Sequence, residues 1–216
     1  MINQYQDERS QSVYAIIDNS RVMRDPFDQL SLLDHSINSS LVFANTALKK
    51  GDKMGLITFS NKIGDRIHAD RNASQLKLIL QTLYNQKTHF KEANFELLYQ
   101  ELRYYVKGRS LIMLYTNFDT ESSLKRALPI LKMISKIHLL VVIFFENTEI
   151  LDTMDEPSTD LKSIYQKTIA ERFVLEKNNM KIELQKNGIH CVLTQPEKLN
   201  IDTINKYLEI KSRGLL

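Results

Sequence analysis

The sequence predicts an α/β domain built on a mostly parallel sheet, and three observations point to it. Short apolar runs of strand length alternate with longer stretches in which apolar residues recur every three or four positions, the pattern of strand-helix-strand units. Several of the short runs are apolar throughout, as strands covered on both faces must be. The 216 residues, 43% hydrophobic and 25% charged, suffice for one well-buried core.

Residues 1–11 are polar and read as an N-terminal extension, with a single domain over 12–216. Ser12-Val13-Tyr14-Ala15-Ile16-Ile17 is a first strand ending in the polar turn Asp18-Asn19-Ser20. Apolar Leu30, Leu33, Ile37, Leu41, Ala44 and Leu48 then make an amphipathic helix from Asp28 to Lys49, which Gly51 ends. Met54 to Phe59 is the second strand, with Ile63 to Ile67 as an antiparallel partner at the sheet edge. Helices over Leu76 to Tyr84 and Ala93 to Val106 precede a buried central strand, Arg109 to Tyr115. A helix over Ser122 to Ser135 leads to the strand Ile137 to Phe145, and polar Glu146 to Asp160 reads as a surface loop. Lys162 to Asn187 is a long helix closed by Gly188, Ile189 to Thr194 a last strand, and Pro196 opens a terminal helix running to about Ser212, whose Ile201, Ile204, Leu208 and Ile210 are expected to pack on the sheet.

Composition narrows the function. A net charge of +3, from 29 basic and 26 acidic residues, lacks the clustered cations of a nucleic-acid footprint, so no nucleic-acid partner is expected. The longest apolar stretch, His138 to Phe145, is far short of the roughly 20 residues that span a bilayer. The first residues lack the apolar centre of a secretory signal, and a cytoplasmic location is expected. The single cysteine, Cys191, sits among Ile189, Val192 and Leu193 and reads as a small core residue.

No Gly-x-Gly-x-x-Gly or Gly-x-x-x-x-Gly-Lys-Ser/Thr phosphate cradle occurs, nor a Gly-x-Ser-x-Gly elbow. His35, His68, His89, His138 and His190 fall in different elements without ligand-type spacing. An enzyme is not expected.

Ligands of open parallel sheets bind beyond the carboxyl ends of the strands, where strand order reverses. There the first strand carries Asp18-Asn19-Ser20-Arg21-Val22-Met23, and the strand ending at Tyr115 carries Thr116-Asn117-Phe118-Asp119. Oxygens from Asp18, Ser20, Asn117 and Asp119 would suit a hard cation such as Mg²⁺. The same residues also serve as ordinary turn and helix-cap chemistry.

Ile16-Ile17-Asp18-Asn19-Ser20-Arg21-Val22-Met23 resembles the Asp-x-Ser-x-Ser opening of von Willebrand factor A domains, and Lys50 to Phe59 is similar to their second strand. Together with the Gly51-Asp52 turn, the Tyr115-Thr116-Asn117 strand end and the tail Ile204 to Gly214, the chain from about Tyr5 to Leu216 resembles the bacterial domain-of-unknown-function family 58. That resemblance implies a doubly wound sheet of about six strands with helices on both faces and a metal-ion-dependent adhesion site. It also implies a MoxR-type AAA+ ATPase or its client as partner, and a longer parent protein anchored in a membrane. Asp18 and Ser20 match the first two ligand positions of the adhesion motif. Val22 stands at the third, Ala93 where a threonine is expected, and Asn117 where an aspartate is expected, with Asp119 as a possible stand-in. The expected function is therefore a protein-interaction module with a degenerate adhesion site; the alternative is a metal-free scaffold that binds partners through a helix face.

Overall fold

The protein is described here as a computed structural model covering residues 10–27, 29–88, 90–146 and 161–215. The expected N-terminal extension, Asp28, His89 and the expected loop over 146–160 lie outside these residues, except for residues 10, 11 and 146.

Strand β1 (Ser12–Asp18) carries alternating side chains into two separate cores. Val13, Ala15 and Ile17 enter one, Tyr14 and Ile16 the other. The remaining strands are β2 (Pro26–Phe27), β3 (Leu30–Ser31), β4 (Lys53–Phe59), β5 (Ile63–Asp70), β6 (Leu111–Tyr115), β7 (Leu139–Phe145) and β8 (His190–Thr194). Six of them form the main sheet in the order β5-β4-β1-β6-β7-β8. Every neighbouring pair is parallel except the edge pair β4 and β5, which is antiparallel.

Helices cover both faces. On one lie α1 (Leu32–Lys49), α2 (Gln75–Tyr84) and the terminal α6 (Leu199–Ser212), through Phe43, Ile79 and Tyr207. On the other lie α3 (Phe95–Tyr105), α4 (Glu121–Ile137) and α5 (Leu161–Lys186), through Leu98, Leu131 and Met180. Truncating a fully buried member such as Leu98 would cost about 2–5 kcal/mol.

Several expected boundaries move. The helix expected from Asp28 begins only at Leu32, because Ser31 and Asp34 form a reciprocal capping box there. Leu30, expected on that helix's apolar face, lies instead in the two-stranded β2-β3 ribbon and is exposed. In α6 the buried residues are Leu199, Thr203, Tyr207 and Ile210, whereas the expected packing residues Ile201 and Leu208 are exposed. The mixed polarity of that helix hid its inward face. The expected start of that helix, Pro196–Lys198, is a separate 3₁₀ turn.

Gly55 on β4 permits a close approach. A Cβ there would collide with the Tyr14 ring, whose hydroxyl accepts a hydrogen bond from Ala69 N on β5 at 3.2 Å.

Candidate functional site

Strand order reverses between β1 and β6: the chain leaves β1 for β4 on one side and returns to β6 on the other. The crevice at their carboxyl ends is where loops can converge. Three do. Asn19 N donates to Phe59 O at 2.7 Å, Arg21 N to Lys91 O at 3.0 Å, and Asn94 N to Ser60 O at 2.8 Å. Asn19 Nδ2 donates to Gln86 Oε1 at 2.6 Å, and Gln86 Nε2 in turn to Asp65 Oδ2 at 2.6 Å, tying the loop after α2 to β1 and β5.

Asp18, at the end of β1, is fully buried. Its Oδ1 accepts from Ser20 N at 2.8 Å and its Oδ2 from Thr116 Oγ1 at 2.6 Å. Burial pushes its pKa up to about 6, against the pull of Thr116 and Ser20. Both hydrogen-bond donors are neutral, so the charge is hydrogen bonded but not neutralised. The buried Ser20 hydroxyl lies against this carboxylate yet has no partner at hydrogen-bond geometry.

Asn117 points its carbonyl to a cation. Lys177, part-buried on α5, donates to Asn117 Oδ1 at 2.9 Å and to Phe118 O at 2.8 Å. Burial pushes the Lys177 ammonium down to about 8, with Asp119 the largest opposing influence. Asp119 accepts from Arg21 at 3.2 Å, and the same guanidinium nitrogen meets Glu92 at 3.2 Å. Arg21 thereby clasps the loops that follow β6 and precede α3.

These groups surround a cleft of about 610 Å³. Asp18, Ser20, Val22, Ala93 and Asn117 all line it, whereas Asp119 does not. Along one side of it runs a chain of rings: Phe59 meets Phe95, Phe95 stacks on Phe118, and Phe118 meets Phe144, with centroid separations of 5.6, 6.1 and 6.2 Å. Such a stack holds the loop bases in register. The helix boundaries sharpen the placement of Ala93, since Asn94 caps α3 by accepting from Leu97 N at 3.1 Å.

The structure thus gathers Asp18, Ser20 and Asn117 around one cleft and sets Asp119 beside it, held by Arg21. Sequence reasoning missed Lys177 and Gln86. Lys177 lies 60 positions from Asn117, in a helix whose charges carry no period that marks one lysine out. Gln86 sits in a polar loop without a motif. Thr116 was visible at a strand end, but its bond to Asp18 is a matter of β1 and β6 being neighbours. Among the described residues, no three of His, Cys, Asp or Glu gather as a metal-binding group, and no helix is long and apolar enough to cross a membrane.

Comparison with known proteins agrees with this architecture. A family described as "Protein of unknown function DUF58" matches residues 1–156, so the tail Ile204 to Gly214 lies beyond the matched span. The structure of conserved hypothetical protein BatB from Bacteroides thetaiotaomicron is similar with a TM-score of 0.56 at 15% identity, over 94% of this chain and 100% of that one. The von Willebrand factor A (VWA) domain of SpRpn10 is similar with a TM-score of 0.50 at 13% identity, over 90% and 94%. No curated protein matches the sequence. At these identities the likeness concerns the fold, which is that of a von Willebrand factor A domain.

Proposed function

The chain belongs to the DUF58 family, and from that membership and its fold we propose that it is a non-enzymatic protein-interaction module that works through the loop face around Asp18, without a metal ion. The carrying observation is how the donors of the adhesion motif are already engaged. Both Asp18 oxygens accept internal hydrogen bonds, the Asn117 carbonyl oxygen is taken by Lys177, and Asp119 is taken by Arg21. Val22 and Ala93 line the same cleft and offer no oxygen. A hard divalent cation needs six or so oxygens in regular array. Of the motif side chains that line the cleft, only the Ser20 hydroxyl has no partner at hydrogen-bond geometry, which is too little for such an array. The adhesion site is therefore degenerate, and partner binding rests on shape, hydrogen bonds and side-chain charge.

The resemblance to domains encoded beside MoxR-type AAA+ ATPases supports such an ATPase, or a client it remodels, as the partner, with the module working in protein or complex assembly in the cytoplasm. The test pairs two measurements on the purified, chelator-stripped chain. Calorimetric titration with Mg²⁺ or Mn²⁺ should give no saturable heat at millimolar ion; saturable heat that Asp18→Ala abolishes would restore a working metal site. Co-elution with a purified MoxR-type ATPase should survive chelator and be lost on Ala93→Arg, which fills the cleft.

A second reading has its own observation. On α5, Tyr165, Ile169 and Phe173 recur every four residues and are 69%, 39% and 43% exposed, so that one helical stripe is apolar and uncovered. Co-elution lost on Phe173→Ser and kept on Ala93→Arg would move the interaction to that helix face.

A further inference from the structure

Adhesion-site domains of this fold use a bound cation to capture a partner's carboxylate; here the charges lining the cleft have the opposite sense. Asp18, Glu92 and Glu96 line it, against Arg126 as the one lining cation. Glu92 is engaged by Arg21 at the rim. Asp18 is fully buried and receives hydrogen bonds from neutral donors only. A carboxylate in that position gains from any cation that reaches it. Beside it the buried Ser20 hydroxyl is without a partner at hydrogen-bond geometry, so a polar acceptor and a carboxylate stand together at the floor. Glu96, in the first turn of α3, adds a carboxylate on one wall, and Phe95 and Ile130 add apolar lining. Ammonium and guanidinium side chains combine an apolar stem with a charged tip, which matches apolar walls over a polar floor. A volume of about 610 Å³ admits such a side chain with its flanking backbone.

We propose that the cleft between the β1 and β6 loops is a recognition pocket for a lysine or arginine side chain of the partner, whose charged tip lies over Asp18 and Ser20 at the floor and meets Glu96 on the wall. This deepens the metal-free interaction reading and rests on it: the partner supplies the cation instead of the module. Arg126 lies on α4, where it is placed for a carboxylate elsewhere in the same partner segment. The engaged pairs, Arg21 with Glu92 and Lys177 with Asn117, keep the surrounding loops in place and leave the floor charge to the ligand.

The test is an amide-resolved NMR titration of the whole chain with end-blocked glycine pentapeptides whose central residue is lysine, arginine, glutamate or norleucine. Lysine or arginine peptides should give saturable shifts centred on Ser20, Asn94 and Asn117, weakened about three- to tenfold by Ser20→Ala and by Glu96→Gln, the usual worth of one hydrogen bond or charge contact. Equal saturation by norleucine would mean an apolar pocket and would overturn the proposal. Saturation by the glutamate peptide alone would assign the cleft to acidic partners through Arg126, with the same effect. A flat response to every peptide would also overturn it. Neither of the last two outcomes touches the interaction reading, which stands or falls on co-elution and its loss in Ala93→Arg.

Discussion

Two fully buried aspartates sit at opposite ends of the domain's first layer of strands, and their surroundings differ in kind. Asp52, just before β4, accepts from Tyr207 Oη at 2.5 Å, from Lys211 Nζ at 3.0 Å and, through its other oxygen, from Gln11 N at 3.1 Å. Its cation comes from the same chain, and the group joins α6 to the sheet. Asp18, at the end of β1, has two neutral donors and an open cleft beside it. A buried charge that serves the fold is neutralised from within, whereas the charge at the cleft is left for something else to neutralise. Structural and functional carboxylates are thus told apart by their partners and not by their burial.

The largest test of that contrast is Asp52→Ala. It removes the acceptor shared by the half-buried Lys211 ammonium, the buried Tyr207 hydroxyl and Gln11 N, and should cost about 3–5 kcal/mol in urea unfolding. A loss below about 1 kcal/mol would mean that Asp52 does not tie α6 to the sheet.

Asp18→Asn should act in the opposite direction. With a pKa of about 6 in the fold against 3.8 as a model value, the native state holds more protons than the unfolded chain between those pH values. Wild-type stability therefore falls as pH rises from about 4 to about 6, by up to about 3 kcal/mol. Asp18→Asn should flatten that window and be the more stable protein at pH 7 while matching wild type near pH 4, as read by denaturant midpoints across pH. A wild-type curve flat through this window would show that the Asp18 charge is already neutralised. At the small end, Arg21→Ala breaks two ion pairs whose arginine is 52% exposed, and should change stability by less than about 1 kcal/mol. A larger loss would make the clasp between the two loops part of the fold.

Most of the fold was legible because β1, β4, β6 and β7 are apolar enough to be strands buried on both faces, and because the helices between them keep their period. The place of the site was legible for the same reason: β1 and β6 are neighbours at the point of reversal, which puts Asp18 and Asn117 together. What escaped was whatever depends on side chains meeting from distant elements. Lys177 reaches Asn117 from a helix with no distinguishing pattern, and Thr116 reaches Asp18 from the end of the neighbouring strand, 98 positions on in the sequence. Leu30 misled because its spacing suits a helix, while the Ser31 and Asp34 box that starts α1 one residue later is written in the chain. Ile201 and Leu208 misled in the same way, their spacing matching a helix face that solvent covers.

The close passage of Tyr14 over Gly55 constrains how this sequence can drift. Any side chain at position 55 would collide with the ring, and losing the ring would remove the hydroxyl that holds Ala69 on the edge strand. Glycine at 55 is therefore required twice over, by the ring and by the Ile67 carbonyl oxygen that a Cβ would meet at 2.9 Å, and relatives of this chain that keep Tyr14 should keep Gly55.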